Sequence, residues 1–154
     1  MNEDEIKVFI EGVLRYFDRV TGEPALVETP FLKGEKPMAL DYTGVIGISG
    51  RQRGAVFFTS DSALLSKVLE SLGEVEVDSA ALADLVGEVA NTISGNARRY
   101  YGQDFRITVP TVFQGAEDAI ELPGKPKELV IPVLWKGLRC YLIVSLESPQ
   151  VLAG

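Results

Sequence analysis

Two polar residues lie three positions apart in a segment that otherwise reads as an amphipathic helix. Glu88 and Asn91 belong to the run LADLVGEVANTISGNARRYYG at residues 82–102. At about 100° per residue, the apolar side chains form one stripe and the pair falls on the opposite side, one turn apart. The stripe consists of Leu82, Val86, Val89, Ile93, Ala97 and Tyr100. Neither Glu88 nor Asn91 is a plausible nucleophile, and no neighbour would hold a catalytic metal. The pair is therefore an incomplete site that needs a partner.

The residues around the pair predict a contact surface. Asp84, Gly95 and Arg98 share its side of the helix, and Gly87 and Ser94 lie beside it. A glycine inside a helix costs about 1 kcal/mol relative to alanine. Glycines at these positions lower the surface around Asn91, so that another protein can approach closely. We predict that these five residues contact a partner.

Three other interpretations of residues in this helix remain open. A Glu-x-x-Asn spacing arises often by chance, and most such pairs are simply solvated. Gly87 and Gly95 can equally mark close packing against another helix of the same chain, for which the N-terminal helix is the obvious candidate. Asp84 can equally be a solvated helix carboxylate.

Helical periodicity predicts two further helices. Apolar residues recur at helical spacing in residues 3–20, EDEIKVFIEGVLRYFDRV, and TGEP ends that run. The segment SALLSKVLESLG is a short amphipathic helix closed by Gly73. Candidate N-caps are Ser60, Asp61 or Ser62 for the short helix and Asp78 or Ser79 for the long helix.

The remaining segments predict strands. ALVETPFL is broken by Pro30, and MALDYTGVIGISG with RQRGAVFFTS forms a hairpin across residues 50–54. DFRITVPTVFQG, ELVIPVLW and LRCYLIVSLE follow, the last two joined by a tight Lys-Gly turn. Pro132 indicates an edge position or a bulge. Residues 115–128, GAEDAIELPGKPKE, are predicted to form a long surface loop.

Composition limits the class of protein. The chain has 154 residues, 46% hydrophobic and 24% charged, with no linker, which predicts one domain over residues 1–154. Without histidine, and with only Cys140 as a cysteine, it has no disulfide within the chain, zinc hydrolase site or Ser-His chemistry, and we predict no metal site. Cys140 is expected to be a small buried hydrophobe.

Charge and hydropathy limit the partners. A net charge of −7 argues against nucleic acid, which is bound through clustered positive charge. No apolar run approaches the roughly 20 residues of a membrane span. The acidic start MNEDEIKVF lacks the apolar region of a secretory signal. These features predict a cytoplasmic protein that does not insert into membranes.

Three stretches of the sequence resemble the CheC/CheX family of chemotaxis phosphatases. The first is Asp84-x-x-x-Glu88-x-x-Asn91, the second is GVIGISGRQRGAVFFTSDSALLSKVLESLG and the third is ITVPTVFQG. The resemblance covers roughly residues 40–146, in order, although the interval from Asn91 to Pro110 is a few residues shorter than the family spacing. Asparagine occurs only at positions 2, 91 and 96, so only one Glu-x-x-Asn site exists. A single site favours the CheX-like branch.

The resemblance implies a fold and an activity. The implied fold is an α/β (α+β) arrangement, with a mixed, largely antiparallel sheet and two long helices and one short helix on one face. The implied substrate is the aspartyl phosphate of a CheY-type response regulator, which carries its own Mg²⁺ and lysine. Asn91 would position the attacking water, Glu88 would pair with the lysine, and Asp84 would support docking or the electrostatics of the helix. No cofactor of its own is expected.

The resemblance also leaves alternatives. A homodimer is expected, since CheX-like members are dimeric and Pro132 suggests an available sheet edge. The main competing hypothesis is a non-catalytic module that binds a response regulator or another signalling protein. A third is a purely structural dimer domain.

Overall fold

The computed structural model describes residues 2–34, 38–115 and 127–147. Its helices are α1 (Glu3–Thr21), α2 (Ser62–Ser71) and α3 (Ser79–Tyr101). Its strands are β1 (Leu26–Val27), β2 (Phe31–Leu32), β3 (Tyr42–Gly50), β4 (Arg53–Ser60), β5 (Phe105–Ile107), β6 (Thr111–Gln114), β7 (Leu129–Trp135) and β8 (Leu138–Glu147). The predicted loop at 115–128 lies almost wholly outside the described residues.

The two long helices begin at side chains that accept hydrogen bonds from the first turn. The Asn2 side chain accepts one from the backbone N–H of Glu5 at 2.9 Å, and Asp78 accepts one from that of Ala81 at 2.8 Å. Of the two predicted caps of α3, Asp78 is therefore the one used. Such a cap contributes about 1 kcal/mol, because the first N–H groups of a helix lack partners within it.

The short helix α2 is capped by a residue that is far from it in the sequence. Asp61 occupies its N-cap position but makes no side-chain cap hydrogen bond. The carboxylate of Asp41 instead accepts hydrogen bonds from the backbone N–H of Ser62 at 2.9 Å and from its hydroxyl at 3.2 Å. The segment that leads into β3 therefore holds the start of α2. Local sequence does not reveal this cap, because Asp41 and Ser62 are 21 residues apart.

The strands form one sheet in the order β1-β7-β8-β4-β3-β5, with β2 also on β7 and β6 also on β3. Every strand pair among the described residues is antiparallel. The predicted hairpins are present as β3–β4 and β7–β8. The central strands β4 and β8 are consequently flanked on both sides.

Pro132 lies in β7, which is not an edge strand. β7 pairs with β8 on one side and with β1 and β2 on the other, so the predicted edge position is wrong. The irregularity lies in the facing strand, where the register shifts by one residue between Val27 and Phe31. The Pro132 carbonyl accepts a hydrogen bond from Glu28 N–H at 3.0 Å. Its nitrogen faces the same side, so the proline does not remove a bond from the β7–β8 ladder.

The main core lies between the helices and one face of the sheet. Its largest fully buried side chains include Phe9, Phe17, Phe58, Leu64, Ile93, Trp135 and Leu142. Trp135 lies 5.4 Å from Phe17, ring to ring, and its Nε1 donates a hydrogen bond to the Glu23 carbonyl at 3.2 Å. The Trp135 contacts tie α1 to the sheet. A smaller cluster, Ala55, Phe57, Val130 and Ile143, lies on the other face, because successive side chains of a strand alternate between faces.

The predicted stripe of α3 is buried except at its end. Tyr100 is 58% exposed, so its predicted place in the core is wrong. The next residue, Tyr101, instead stacks on Phe105 with 4.9 Å between ring centres. The packing of Tyr101 on β5 replaces the contact expected for Tyr100. None of the described helices combines the length and the apolar composition needed to cross a bilayer.

Candidate functional site

Helix α3 carries Glu88 and Asn91 on its solvent side. Both residues are exposed, as are Asp84 and Arg98. Three residues span about 4.5 Å along a helix axis at 1.5 Å per residue. The helix has 23 residues and packs on β3 and β4, so the pair projects from a rigid support. The carboxylate and the carboxamide therefore share one exposed face, as the helical wheel predicts.

Two of the predicted partner-contact residues lie beneath this face. Ser94 is 0% exposed, and Gly87 is buried. A β-carbon added at Gly87 would lie 3.1 Å from Cγ2 of Val112 and 3.4 Å from Cβ of Pro110. The prediction that Gly87 and Ser94 contact a partner does not fit this geometry, because packing inside the chain occupies their side of α3.

A second glycine brings α3 close to the sheet. A β-carbon added at Gly44 in β3 would lie 2.5 Å from the carbonyl oxygen of Val86 and 3.1 Å from Cα of Gly87. Gly87 packs closely within the chain, but not against another helix as the second interpretation predicts. The neighbour is the pair of strands β3 and β6, and not the N-terminal helix. Backbone-to-backbone contact fixes the height of Glu88 above the sheet.

Helix α1 lies along the other side of the exposed face. A β-carbon added at Gly12 would lie 3.4 Å from Nδ2 of Asn96 and 3.4 Å from Cγ2 of Ile93, so Gly12 permits the close approach of α1 to α3. At Gly95 no described atom lies within 4 Å of an added β-carbon. Gly95 therefore leaves open space next to Asn91, as the sequence predicts.

The two helices enclose a groove of about 360 Å³ beside this face. We call it the α1–α3 groove. Its lining consists of Gly12, Arg15, Tyr16, Arg19, Val20, Thr92, Gly95, Asn96 and Arg99. Arg15 and Arg19 are not among the residues predicted from the sequence. Their spacing of four places them on one side of a helix, but only the packing of α1 brings that side to α3.

Tyr16 is the aromatic side chain in the groove lining. It is 5% exposed. Burial raises the pKa of the Tyr16 hydroxyl well above its ordinary value, and the Glu88 carboxylate raises it further.

The chemistry that this region offers is polar and ionic. Within residues 2–34, 38–115 and 127–147, no group of three or more His, Cys, Asp or Glu side chains is placed to hold a metal ion. Cys140 is buried, as predicted, and burial raises the pKa of its thiol. The exposed groups are the carboxylates of Asp84 and Glu88, the carboxamide of Asn91 and neighbouring guanidinium groups.

Three solved structures are similar to this chain in fold. A CheC-like superfamily protein from Shewanella sp. PV-4 matches with a TM-score of 0.83 and 24% identity, over 96% of this chain and 100% of the other. A chemotaxis protein CheX from Desulfovibrio desulfuricans matches with a TM-score of 0.83 and 25% identity, over 94% and 99%. CheX from Borrelia burgdorferi, solved as a CheX–CheY–BeF₃–Mg²⁺ complex, gives a TM-score of 0.76 and 20% identity, over 96% and 100%.

The three-helix, antiparallel architecture is thus that of the CheC/CheX class of structures. A family model described as chemotaxis phosphatase CheX matches residues 42–134, which include the whole of α3. The chain belongs to this family of phosphatases, and the resemblance seen in the sequence is confirmed. A comparison with curated proteins finds no match.

Proposed function

We propose that this phosphatase removes the phosphoryl group from the aspartyl phosphate of a CheY-type response regulator. The observation that carries the proposal is the joint exposure of Glu88 and Asn91 on one face of α3. A helix can present two such side chains to the phosphorylation site of another protein. The oxygen of a water molecule attacks phosphorus, the bond between phosphorus and the acyl oxygen breaks, and aspartate and inorganic phosphate are released.

Asn91 positions the water in this proposal. Its carboxamide has an oxygen that accepts hydrogen bonds and an NH₂ group that donates them. One side chain can therefore accept a hydrogen bond from the water or donate one to it. Orientation matters because the attacking oxygen must lie in line with the bond that breaks. Glu88, one turn earlier, pairs with the lysine of the regulator through a charge-assisted hydrogen bond. Asp84, Gly95 and Arg98 contact the regulator around the pair.

The metal in this reaction belongs to the substrate. We propose that the regulator carries Mg²⁺, which neutralises charge on the phosphoryl oxygens, and that this chain contributes no cofactor. The Borrelia burgdorferi structure, which contains Mg²⁺ and BeF₃ together with CheX and CheY, supports that division. The cytoplasmic location that the sequence predicts stays a prediction.

Substitution of Asn91 by alanine tests the catalytic role. Asn91→Ala is expected to lower the rate of regulator dephosphorylation on the order of 100-fold, the cost of a misplaced reactant. Stability should change by no more than about 0.5 kcal/mol, because the side chain is exposed. Phosphate release from CheY-type regulators of the same organism, followed alongside thermal unfolding, measures both quantities.

Gln103→Ala is the matched control, because it removes an exposed carboxamide outside the site. It should leave phosphate release unchanged. An Asn91→Ala protein that releases phosphate at the wild-type rate would contradict the assignment. If wild type binds the activated regulators without accelerating their dephosphorylation, the non-catalytic binding module is correct, and absence of any binding favours a structural domain.

We also propose a homodimer. β7 is covered, so its edge is not available. The outer strands β1 and β2 carry Leu26, Phe31 and Leu32, which are 67%, 44% and 61% exposed. Exposed apolar residues on edge strands favour pairing with a second copy. Sedimentation equilibrium distinguishes the two states, and a mass near 16.8 kDa would exclude the dimer.

A further inference from the structure

We propose that the α1–α3 groove binds an acidic surface segment of the response regulator that docks on α3. The proposal rests on the proposed function and adds a second contact to it. Glu88 and Asn91 would engage the phosphorylation site, and the arginines of the groove would hold carboxylates on the neighbouring surface of the same regulator. α1 thereby becomes part of the binding surface.

The first argument is charge. The molecule carries a net charge of −7, yet the groove lining contains Arg15, Arg19 and Arg99 and no acidic residue. All three arginines are exposed. None of them belongs to an ion pair within the described part of the chain. A local positive surface on an acidic molecule attracts carboxylates and orients a partner as it approaches.

The second argument is position. Gly95 forms part of the groove and follows Asn91 by four residues, which is about 6 Å along a helix axis. A protein docked at Asn91 therefore has its neighbouring surface over the groove. Gly95 lacks a side chain and borders open space, so it keeps the groove open on the α3 side. Arg15 and Arg19 are also four residues apart, so they can meet carboxylates spaced by one turn of a helix.

The third argument favours a protein over a small anion. An exposed ion pair contributes only about 0–1 kcal/mol, so a free anion gains little from three exposed guanidinium groups. A regulator already held at Glu88 and Asn91 presents its carboxylates at a high effective concentration. Several weak pairs then add to one binding event.

The test removes the two arginines of α1. In the double variant Arg15→Ala, Arg19→Ala, we expect the Kd for beryllofluoride-activated CheY-type regulators of the same organism to rise about tenfold at low salt. The KM for the phosphorylated regulators should rise in parallel, with kcat unchanged. At about 1 M salt, where the screening length is about 3 Å, the variant and wild type should converge. Arg15→Lys, Arg19→Lys should retain most of the affinity, because the charge is kept.

The matched control is Arg53→Ala, Lys67→Ala, which removes the same charge from exposed positions outside the groove. It should keep the wild-type Kd. A Kd of the α1 variant equal to wild type overturns the proposal, as does a fall in kcat with unchanged KM. Calorimetry with pyrophosphate tests whether the groove binds a small anion instead. Saturable binding that the α1 variant loses, together with unchanged regulator affinity, also overturns the proposal.

Failure of the proposed function gives a different result. One such result is that wild type binds the activated regulators more tightly than the α1 variant without accelerating phosphate release. In that case the groove proposal is correct and the catalytic proposal is wrong. If wild type binds none of the regulators, both proposals fall. If Asn91→Ala loses activity while the α1 variant keeps the wild-type Kd, only the groove proposal falls.

Discussion

Glu88 and Asn91 combine exposure with a fixed position. Their side chains are in solvent, while the backbone beneath them packs against β3 through Gly44. An exposed side chain costs little to keep in the unbound protein, and a rigid helix limits the freedom that it loses on docking. This arrangement suits residues that act on another protein.

The role of Glu88 can be separated from that of Asn91. Glu88→Gln keeps the shape of the side chain and removes its charge, so the proposed pair with the regulator lysine should weaken. We expect KM for the phosphorylated regulator to rise about tenfold, since a charge-assisted hydrogen bond is roughly twice as strong as a neutral one. Steady-state phosphate release over a range of regulator concentrations gives KM and kcat.

Glu70→Gln is the matched control for the charge, because Glu70 is exposed on α2 and lies outside the site. It should leave KM unchanged. Glu88 is only a surface carboxylate if Glu88→Gln behaves in the same way as this control.

At the scale of elements, the glycines of β3 and α3 have opposite roles. Gly44 lies under α3 with Val86 in contact, whereas Gly95 borders open space. Substitution by alanine should therefore have opposite effects on the free energy of unfolding at these two positions. The difference between the two variants in free energy of unfolding reports how closely α3 packs on the sheet.

Gly44→Ala should lower the free energy of unfolding by about 1–3 kcal/mol, because its new methyl group must displace backbone. Gly95→Ala should raise it by up to about 1 kcal/mol, because alanine is the better helix former and nothing described is in the way. Urea unfolding of both variants checks the prediction. Equal effects of the same sign would show that α3 does not approach β3 as closely as the added β-carbon distance of 2.5 Å implies.

At the scale of the whole molecule, the proposed chemistry is shared between two proteins. In the proposal, this chain supplies the carboxamide and the carboxylate, and the regulator supplies the phosphoryl group, the lysine and Mg²⁺. Activity should therefore depend on the folded regulator and not on the phosphate ester alone.

This division predicts that the isolated protein binds no Mg²⁺ with defined stoichiometry. It should hydrolyse no nitrophenyl phosphate, because a small ester brings neither the metal nor the docking surface. Calorimetry with Mg²⁺ and phosphate-release assays on both substrates make the comparison. Stoichiometric Mg²⁺ binding together with hydrolysis of the small ester would require a self-contained active site and would overturn the mechanism.

The sequence by itself determined the features that depend on near neighbours in the chain. The period of 3.6 residues placed Glu88 and Asn91 opposite the buried stripe, and the candidate caps Asp78 and Ser79 marked the start of α3. Alternation and turn residues located the hairpins. These signals are local, because hydrogen bonds and side-chain directions within a helix or strand repeat over a few residues.

Only the tertiary structure decided which elements adjoin each face. It buried Gly87 and Ser94 against neighbours in the chain, covered the edge of β7 at Pro132, exposed Tyr100, and brought Arg15 and Arg19 beside α3. The physical reason is that close packing joins residues far apart in sequence, and their partners depend on the order of strands and the position of helices. The sequence alone therefore predicted the exposed pair, and the fold defined the surface around it.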